Sequence, residues 1–273
     1  MKLTLLLLTL LSFSLFAYSS PDLPLSSYTE VEITVLNTFA PDTPSMILGL
    51  DYDETNSLLL MGSANGYDPE VYFYDPDDGT YHSEIAYTSP QTNFGVCIND
   101  DGSIVYFTEW FQGKLYSYDW SSWNIIDSPA GTEGRGIDFR DGYIWIARGL
   151  NKDIKRFLPD GSSVSTYSAP QSTDNLSGLT TFPLGSNTGV VVTSYYDRNF
   201  FFYSFNGSSL TFLTSVEVPL FSNNSLGLAY SDERDTFFWS YTDGATYTIS
   251  ELDIDITVTA LQRYSFGHIK TLF

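Results

Sequence analysis

Short runs of apolar and aromatic residues alternate along the chain with turns that are rich in Asp, Asn and Gly. The stretch GVCINDDGSIVYFTEWFQGKLYSYD, residues 95–119, contains three such runs, separated by NDDGS and FQGK. Strand-length runs bounded by Asp, Asn and Gly are typical of β-strands joined by tight turns. No stretch with helical periodicity and capping signals interrupts the pattern. The pattern therefore predicts an all-β protein.

The same four-strand unit recurs at a nearly constant interval. Each unit begins with a strand led by glycine, and these glycines are Gly49, Gly95, Gly136, Gly178 and Gly227, with a weaker match at Gly267. The intervals are 46, 41, 42, 49 and 40 residues. A four-stranded propeller blade spans roughly 40 to 50 residues. The spacing predicts a β-propeller with five recognisable four-stranded repeats and a ring of five or six blades.

A β-sandwich is the alternative fold for a chain of short strands. A sandwich gives no reason for repeated copies of one unit, whereas each blade of a propeller covers its faces only against the next blade. The second strands of the units, such as LLLMG, IVYFT and YIWIA, are apolar on both faces. Sheets that pack between two other sheets have this composition, so the propeller is favoured.

Composition and charge exclude one class of partner. The chain of 273 residues is 42% hydrophobic and 16% aromatic, which is enough to bury a full core. It has 12 Lys and Arg residues against 33 Asp and Glu residues, so the formal net charge is -21. A charge of this sign repels phosphate backbones and anionic lipid headgroups. We therefore expect no nucleic-acid partner.

The first residues, MKLTLLLLTLLSFSLFAYSS, place one Lys before an apolar run from Leu3 to Ala17. Ala17 and Ser19 satisfy the small-residue rule for cleavage after Ser19, which predicts a signal peptide over 1–19 and a single propeller domain over 20–273. A membrane anchor is the alternative, but about 15 apolar residues are fewer than the roughly 20 that span a bilayer. We expect a secreted protein with no membrane association after signal cleavage.

Secretion gives meaning to two further features. The one cysteine, Cys97, has no partner for an internal disulfide, and its apolar neighbours favour a buried, unreactive thiol. Three Asn-x-Ser/Thr sequons predict N-glycosylation, with chance occurrence as the alternative. The acceptor residues are Asn175, Asn206 and Asn223.

Residues 95–119 and the stretch GIDFRDGYIWIARGLNKDIKRFLPDG, residues 136–161, share a Gly-led strand, an Asp-Gly or Asp-Asp-Gly turn and an aromatic-rich strand, and the second stretch ends in an R-F-x-P-D-G hairpin. In these features the chain resembles the gluconolactonase and regucalcin-like propellers and their strictosidine-synthase-like relatives. The resemblance covers residues 49–250 as a pattern. It implies a propeller scaffold, which hosts many unrelated functions.

In the enzymes of that family, the resemblance implies a divalent cation held in the central channel by Glu, Asn and Asp, two of them just before the Gly of an inner strand. The residues at that position here are Leu48, Phe94, Arg135, Ser177, Leu226 and Phe266. None is a carboxylate or Asn, and hard cations need several oxygen ligands. We therefore predict no metal ligand, no cofactor and no catalytic residue, and we expect that the protein is not an enzyme.

The loops between the second and third strands of each unit share one face of a propeller with the loops that enter each blade. These loops are rich in aromatic and Arg residues, which are enriched at binding hot spots. Such a cluster beside polar groups suits a sugar or a peptide, although packing between blades is the alternative role for the aromatics. The predicted ligand-binding residues are Trp110, Phe111, Arg135, Arg148, Tyr195 and Tyr196.

These observations predict a secreted, N-glycosylated β-propeller that acts as an extracellular binding or structural protein, with an extracellular protein or glycan as its partner. The alternative is a gluconolactonase-like or strictosidine-synthase-like hydrolase with a rearranged channel site. Bound metal and lactone hydrolysis would favour the enzyme, and metal-independent binding of a protein or glycan would favour the binding protein.

The two ends of the chain carry surplus strands. Residues 30–44, EVEITVLNTFAPDTP, resemble the fourth strand of a preceding blade, and residues 266–273 resemble the first strand of a following one. Residues 256–260, ITVTA, are predicted as the fourth strand of the last full unit. The surplus strands either build a reduced closing blade within the molecule or pair between molecules, giving self-association. The net charge of -21 favours internal closure.

Overall fold

A computed structural model describes residues 27–42, 46–65, 68–86, 93–109, 113–126, 134–149, 151–171, 175–196 and 198–260. The compact unit Thr29–Thr257 contains the fold described here, and the chain ends Met1–Tyr28 and Val258–Phe273 belong to a second unit. In the described ranges every regular element is a β-strand. No helix able to cross a membrane occurs in these ranges. The predicted signal peptide, 1–19, lies outside the described residues.

The described residues form five sheets of four strands, and each sheet is one blade. Blade 1 contains β2 (Met46–Asp53), β3 (Leu58–Asn65), β4 (Asp68–Tyr74) and β5 (Tyr81–Ala86). Blade 2 contains β6 (Asn93–Ile98), β7 (Val105–Glu109), β8 (Lys114–Tyr118) and β9 (Trp123–Ile126). Blade 3 contains β10 (Gly136–Arg140), β11 (Tyr143–Arg148), β12 (Asp153–Phe157) and β13 (Ser163–Ser168). Blade 4 contains β14 (Leu176–Leu184), β15 (Asn187–Ser194), β16 (Asn199–Phe205) and β17 (Leu210–Glu217). Blade 5 contains β18 (Asn224–Ser231), β19 (Thr236–Thr242), β20 (Tyr247–Ala260) and β1 (Ser27–Phe39).

The blades form a closed ring. The first strand of each blade contacts the first strand of the next blade, and β18 of blade 5 contacts β2 of blade 1. Neighbouring strands within blades 1 to 4 run antiparallel, as short turns require. This arrangement confirms the predicted β-propeller and fixes the number of blades at five in the described part of the chain. The weaker repeat match at Gly267 lies outside it.

The N-terminal strand β1 closes the ring as the outermost strand of blade 5, beside β20. The Thr38 and Ser250 hydroxyl oxygens lie 2.8 Å apart, and the Asn37 side-chain amide donates to the Asp77 carbonyl of blade 1 at 2.6 Å. Strand β1 thus pairs within the molecule, as was favoured, but it completes blade 5 and does not build a reduced extra blade. Self-association stays a prediction. The surplus strand predicted over 266–273 lies outside the described residues.

The prediction that ITVTA forms the fourth strand of blade 5 is wrong. These residues are the end of β20, the third strand, and β1 provides the fourth. The strand continues past Ser250 because acidic residues alternate there with apolar ones. Asp253 and Asp255 are exposed, while Ile254 and Ile256 are partly buried against the core, which is the pattern of a strand with one covered face.

Apolar and aromatic side chains fill the spaces between neighbouring blades. Tyr52 of blade 1 stacks on Phe238 of blade 5 with ring centroids 5.7 Å apart. Trp145 of blade 3 meets Phe205 of blade 4 edge to face at 5.1 Å. Burying a side chain of this size stabilises a fold by about 1.5–3 kcal/mol. Every residue of the second strand β19 is buried, as the apolar pattern predicted, and Cys97 is buried in one of these clusters, as also predicted.

Candidate functional site

The repeat glycines close the central axis of the propeller. A Cβ atom on Gly136 would lie 2.4 Å from the Leu179 backbone nitrogen, and one on Gly227 would lie 2.6 Å from the Leu50 nitrogen. Only glycine permits backbones to approach so closely. The space between the five inner strands admits no water-sized sphere. The axis is therefore divided into an upper mouth, where the first strands begin, and a lower mouth, where they end.

The upper mouth is covered by the residues that precede the repeat glycines. Leu48 and Leu226 are buried there against each other, with Tyr195 and Tyr247 packed on them. Arg135 is 8% exposed, and its guanidinium carbon lies 4.7 Å from the centre of the Tyr195 ring, a cation–π contact. Burial lowers the pKa of Arg135, but a guanidinium in a protein keeps its proton at neutral pH.

Tyr195 is held in place by its backbone. Its N–H donates to the Asn175 carbonyl at 2.9 Å, and its carbonyl accepts from the Ser225 N–H at 3.1 Å. These bonds fix the loop after β15 between the entries to blades 4 and 5. Tyr196 meets Tyr195 edge to face, with ring centroids 5.0 Å apart, and is 69% exposed. The upper mouth therefore presents one exposed ring beside a buried cation.

Three of the six predicted ligand-binding residues come together in this way: Arg135, Tyr195 and Tyr196. Arg148 does not join them. Its guanidinium forms a two-point ion pair with Asp153, the Nε–Oδ1 distance being 2.6 Å, and the two residues are register partners at the end of the β11–β12 hairpin. Trp110 and Phe111 lie outside the described residues and stay predictions.

The lower mouth contains two buried carboxyl groups that sequence reasoning missed. Asp51 accepts from the Ile98 N–H of the next blade at 2.6 Å, and Asp138 accepts from the Thr181 N–H at 3.0 Å and from the Thr181 hydroxyl. Burial raises the pKa of Asp138 to about 6. Burial also raises the pKa of Asp51 well above its usual value, and the charge of Asp138 adds to that effect.

Each of these carboxyl groups stands two residues after a repeat glycine, in GLDYD and GIDFR. The other three repeats have Cys97, Thr180 and Ala229 at that position. The Asp-after-Gly spacing was visible in the sequence, but its use depends on a contact with the neighbouring blade. The mouth itself encloses only about 40 Å³. Since both carboxyl groups accept bonds from the next blade, their first role is to join blades 1 to 2 and 3 to 4.

No arrangement suited to a metal ion occurs in the described ranges, where no group of three or more His, Cys, Asp or Glu side chains converges. Leu48, Arg135, Ser177 and Leu226 occupy the positions at which the family's ligands were expected, and none of them offers a carboxylate. The prediction of an axis without metal stays a prediction.

The three sequons differ in exposure. Asn206, in the β16–β17 turn on the lower face, and Asn223, before β18 on the upper face, are exposed. Asn175 is 8% exposed and its backbone has a φ of 76°. A glycan on Asn175 would have to displace packed residues in the folded protein, whereas Asn206 and Asn223 leave room for one.

Comparisons with known proteins agree with the fold. The sequence profile of the family described as "SMP-30/Gluconolactonase/LRE-like region" matches residues 57–182, which run from the turn before β3 into β14. This match agrees with the resemblance read from the repeats over that part of the chain, and the fold itself is a five-bladed β-propeller. No curated protein sequence matches the chain.

Two solved structures show the same fold. The glutaminyl cyclase of Myxococcus xanthus has a TM-score of 0.60 at 11% identity, over 82% of this chain and 97% of that one. A chain of the nidogen/laminin complex has a TM-score of 0.53 at 11% identity, over 80% of this chain and 86% of that one. At this identity the likeness concerns the fold alone.

Proposed function

We propose that this protein is an extracellular binding protein that holds a protein or glycan ligand at the upper mouth of the propeller. The observation that carries the proposal is the cluster of Arg135, Tyr195 and Tyr196: a buried guanidinium lies over one ring, and a second ring, 69% exposed, stands beside it. Tyr and Arg are the residue types most enriched at binding hot spots. A hydrogen-bonded loop holds the cluster, so little conformational entropy is lost on binding.

The closed axis supports binding at the surface. Because the glycine backbones leave no passage for water between the two mouths, a ligand on the upper face meets the side chains around Arg135 and Tyr196. A tyrosine ring offers an apolar face and a hydroxyl together, which suits the alternating apolar and hydroxyl surfaces of a sugar as well as a peptide.

Secretion and N-glycosylation are part of the same proposal. They rest on the apolar leader with small residues at its end, 1–19, and on the exposed sequons at Asn206 and Asn223. Glycans at these positions would leave the surface around Tyr196 reachable from blades 1 to 3.

A hydrolase is the second candidate function. It is compatible with the family match, whose description includes gluconolactonase. Two buried carboxyl groups at the lower mouth support it, since a pKa of about 6 for Asp138 would allow proton exchange near neutral pH. The fold does not choose between the two functions, because one structural neighbour is named as an enzyme and the other as part of a complex.

One paired experiment separates the candidates. The purified secreted protein is applied to an array of extracellular glycans and matrix proteins, and the same preparation is assayed for lactone hydrolysis with added Ca²⁺, Mg²⁺, Mn²⁺ or Zn²⁺. We expect saturable binding that EDTA does not remove, and no hydrolysis above that of the Asp138→Asn variant. Metal-dependent hydrolysis without array binding would overturn the proposal.

A further inference from the structure

A second cavity lies on the lower face, between blades 3 and 4, away from the upper mouth. It encloses about 390 Å³ and opens beside the turns that follow β10 and β16. The aromatic rings of Tyr143, Trp145 and Phe205 line it. Its charged groups are the guanidinium groups of Arg140 and Arg156 and the carboxylate of Asp141.

Arg156, on β12, is the central group of this cleft. It is 7% exposed. Its guanidinium carbon lies 3.9 Å from the centre of the Tyr143 ring, 4.8 Å from that of Phe205 and 5.1 Å from that of Trp145. In the part of the chain that the structure describes, no hydrogen bond or ion pair reaches this guanidinium, and its Nε is fully buried without a partner. Ring faces attract a cation but accept little from its N–H groups.

Blade 5 has a buried charged residue, Glu251, at the position equivalent to Arg156, and the two can be compared. Arg156 pairs in register with Trp145, and the equivalent pair in blade 5 is Glu251 with Phe238. Glu251 is 5% exposed, but it accepts from the Arg234 Nε and from the Thr236 hydroxyl, each at 2.8 Å. The Glu251 carboxylate of blade 5 thus has hydrogen-bond and ion-pair partners, whereas the Arg156 guanidinium of blade 3 has only aromatic rings around it among the described residues.

The second guanidinium of the cleft is already neutralised. Arg140 forms an ion pair with Asp232, with an Nη2–Oδ2 distance of 2.9 Å. The charge of Asp141, on the rim of the cleft, also acts on Arg140. Among the described residues, Arg156 is therefore the guanidinium of this cleft that has no ion pair. A buried charge is costly unless an opposite charge and hydrogen bonds accompany it, so an anion that enters the cleft supplies what the chain does not.

We propose that this cleft is a second binding site, which takes a small organic acid with its carboxylate on Arg156 and its ring or apolar body along Tyr143. A planar carboxylate matches the fork of a guanidinium with two parallel hydrogen bonds. The cavity volume fits a molecule of one or two rings. The site lies on the lower face and is independent of the ligand proposed for the upper mouth.

The test uses two pairs of probes, glucuronate with glucose and benzoate with benzyl alcohol, titrated by calorimetry into the whole secreted protein freed of N-glycans. We expect one of the two acids to bind saturably at one site, with at least tenfold higher affinity than its neutral counterpart. Arg156→Met should weaken that binding at least tenfold, and Arg156→Lys should weaken it less. The matched control Arg198→Met, at an ion pair with Glu217 on the upper face, should leave it unchanged.

If Arg156→Met fails to fold, Ser186→Trp provides the test. Ser186 is exposed in the turn after β14, on the rim of the cleft, so a bulky side chain there fills the entrance without altering Arg156. We expect it to abolish binding of the acid while the thermal midpoint is kept. The proposal is overturned if neither acid binds better than its neutral counterpart, or if binding survives both Arg156→Met and Ser186→Trp.

Discussion

The guanidinium of Arg135, which precedes the first strand of blade 3, lies 4.7 Å from the ring centre of Tyr195, which follows the second strand of blade 4. This contact joins two blades directly above the point where the repeat glycines close the axis. It places the exposed ring of Tyr196 at a fixed position beside a buried charge. The side chains of the upper mouth are therefore held in a defined arrangement. Predictions about this surface and about the packing of the blades beneath it can be tested separately.

Gly136→Ala should destabilise the propeller by about 3 kcal/mol, since extra volume in a packed core costs typically 1–3 kcal/mol and backbone atoms cannot move aside. The added Cβ would lie 2.4 Å from the Leu179 nitrogen. Denaturant unfolding of the purified variant measures the loss. Gly62→Ala is the control, because its Cβ would meet the Val96 side chain at 3.4 Å and the Gly49 nitrogen at 3.8 Å, which are ordinary or nearly ordinary contacts. Similar losses in both variants would show that axis packing is not what requires glycine.

Asp138→Asn should flatten the dependence of stability on pH between about pH 4 and 6. The pKa of Asp138 rises from 3.8 to about 6 in the folded protein, so folding favours the protonated form. This contribution is fully present below pH 4 and is lost as the pH rises through 6. Two pKa units correspond to about 3 kcal/mol. The Asn side chain keeps an oxygen that can accept from Thr181.

Urea titrations across this pH range measure the effect. The exposed Asp255 provides the control, since Asp255→Asn should leave the slope unchanged. An unchanged slope in Asp138→Asn would mean that Asp138 is ionised at no cost in the folded state, and that its burial is relieved by water.

Arg234→Met should cost about 3 kcal/mol or more, because removing one partner leaves the buried charge of Glu251 uncompensated. The exposed pair Arg198–Glu217 is the comparison, and Arg198→Met should change stability by less than about 1 kcal/mol. Thermal unfolding measures both variants. Equal effects would contradict the claim that a buried charge such as Glu251 needs its partner more than an exposed one does.

Deletion of residues 30–39 should destabilise a monomer, because β1 is the outermost strand of blade 5 and covers the edge of β20. Light scattering of the intact protein should give one monomer mass at all concentrations. Concentration-dependent oligomers in the intact protein, abolished by the deletion while the fold survives, would instead show that the strand pairs between molecules.

The architecture could be predicted from the sequence because the glycine at the start of each unit is needed for the blades to pack around the central axis. Glycine at positions 136 and 227 permits inner strands of different blades to touch. The sequence was misleading at the last blade, where residues 256–260 were expected to form a separate fourth strand but continue the long third strand, with Asp253 and Asp255 on its exposed face. A local pattern cannot tell a separate strand from the continuation of a strand whose polar face is solvated.

The site was less predictable, because its chemistry depends on contacts between blades. Arg135, Tyr195 and Tyr196 were predicted from loop composition, and the fold brings them together. Arg148 was predicted from a loop of similar composition, but its guanidinium forms an ion pair with Asp153, five residues further along the chain. Arg156 belongs to the hairpin motif of the repeat, and its environment follows from rings on two blades.

The binding proposal is tested most directly by the affinity of wild-type protein and of Tyr196→Ala for the glycan or matrix protein that binds most tightly on the array, measured by surface plasmon resonance. We predict that Kd rises at least about fivefold, the equivalent of roughly 1 kcal/mol, with no change in thermal midpoint because the side chain is 69% exposed. Tyr81→Ala, at an exposed tyrosine on the lower side of blade 1, should leave Kd unchanged. An unchanged Kd in Tyr196→Ala, or a wild-type protein that binds nothing on the array, would contradict a binding role for the upper mouth.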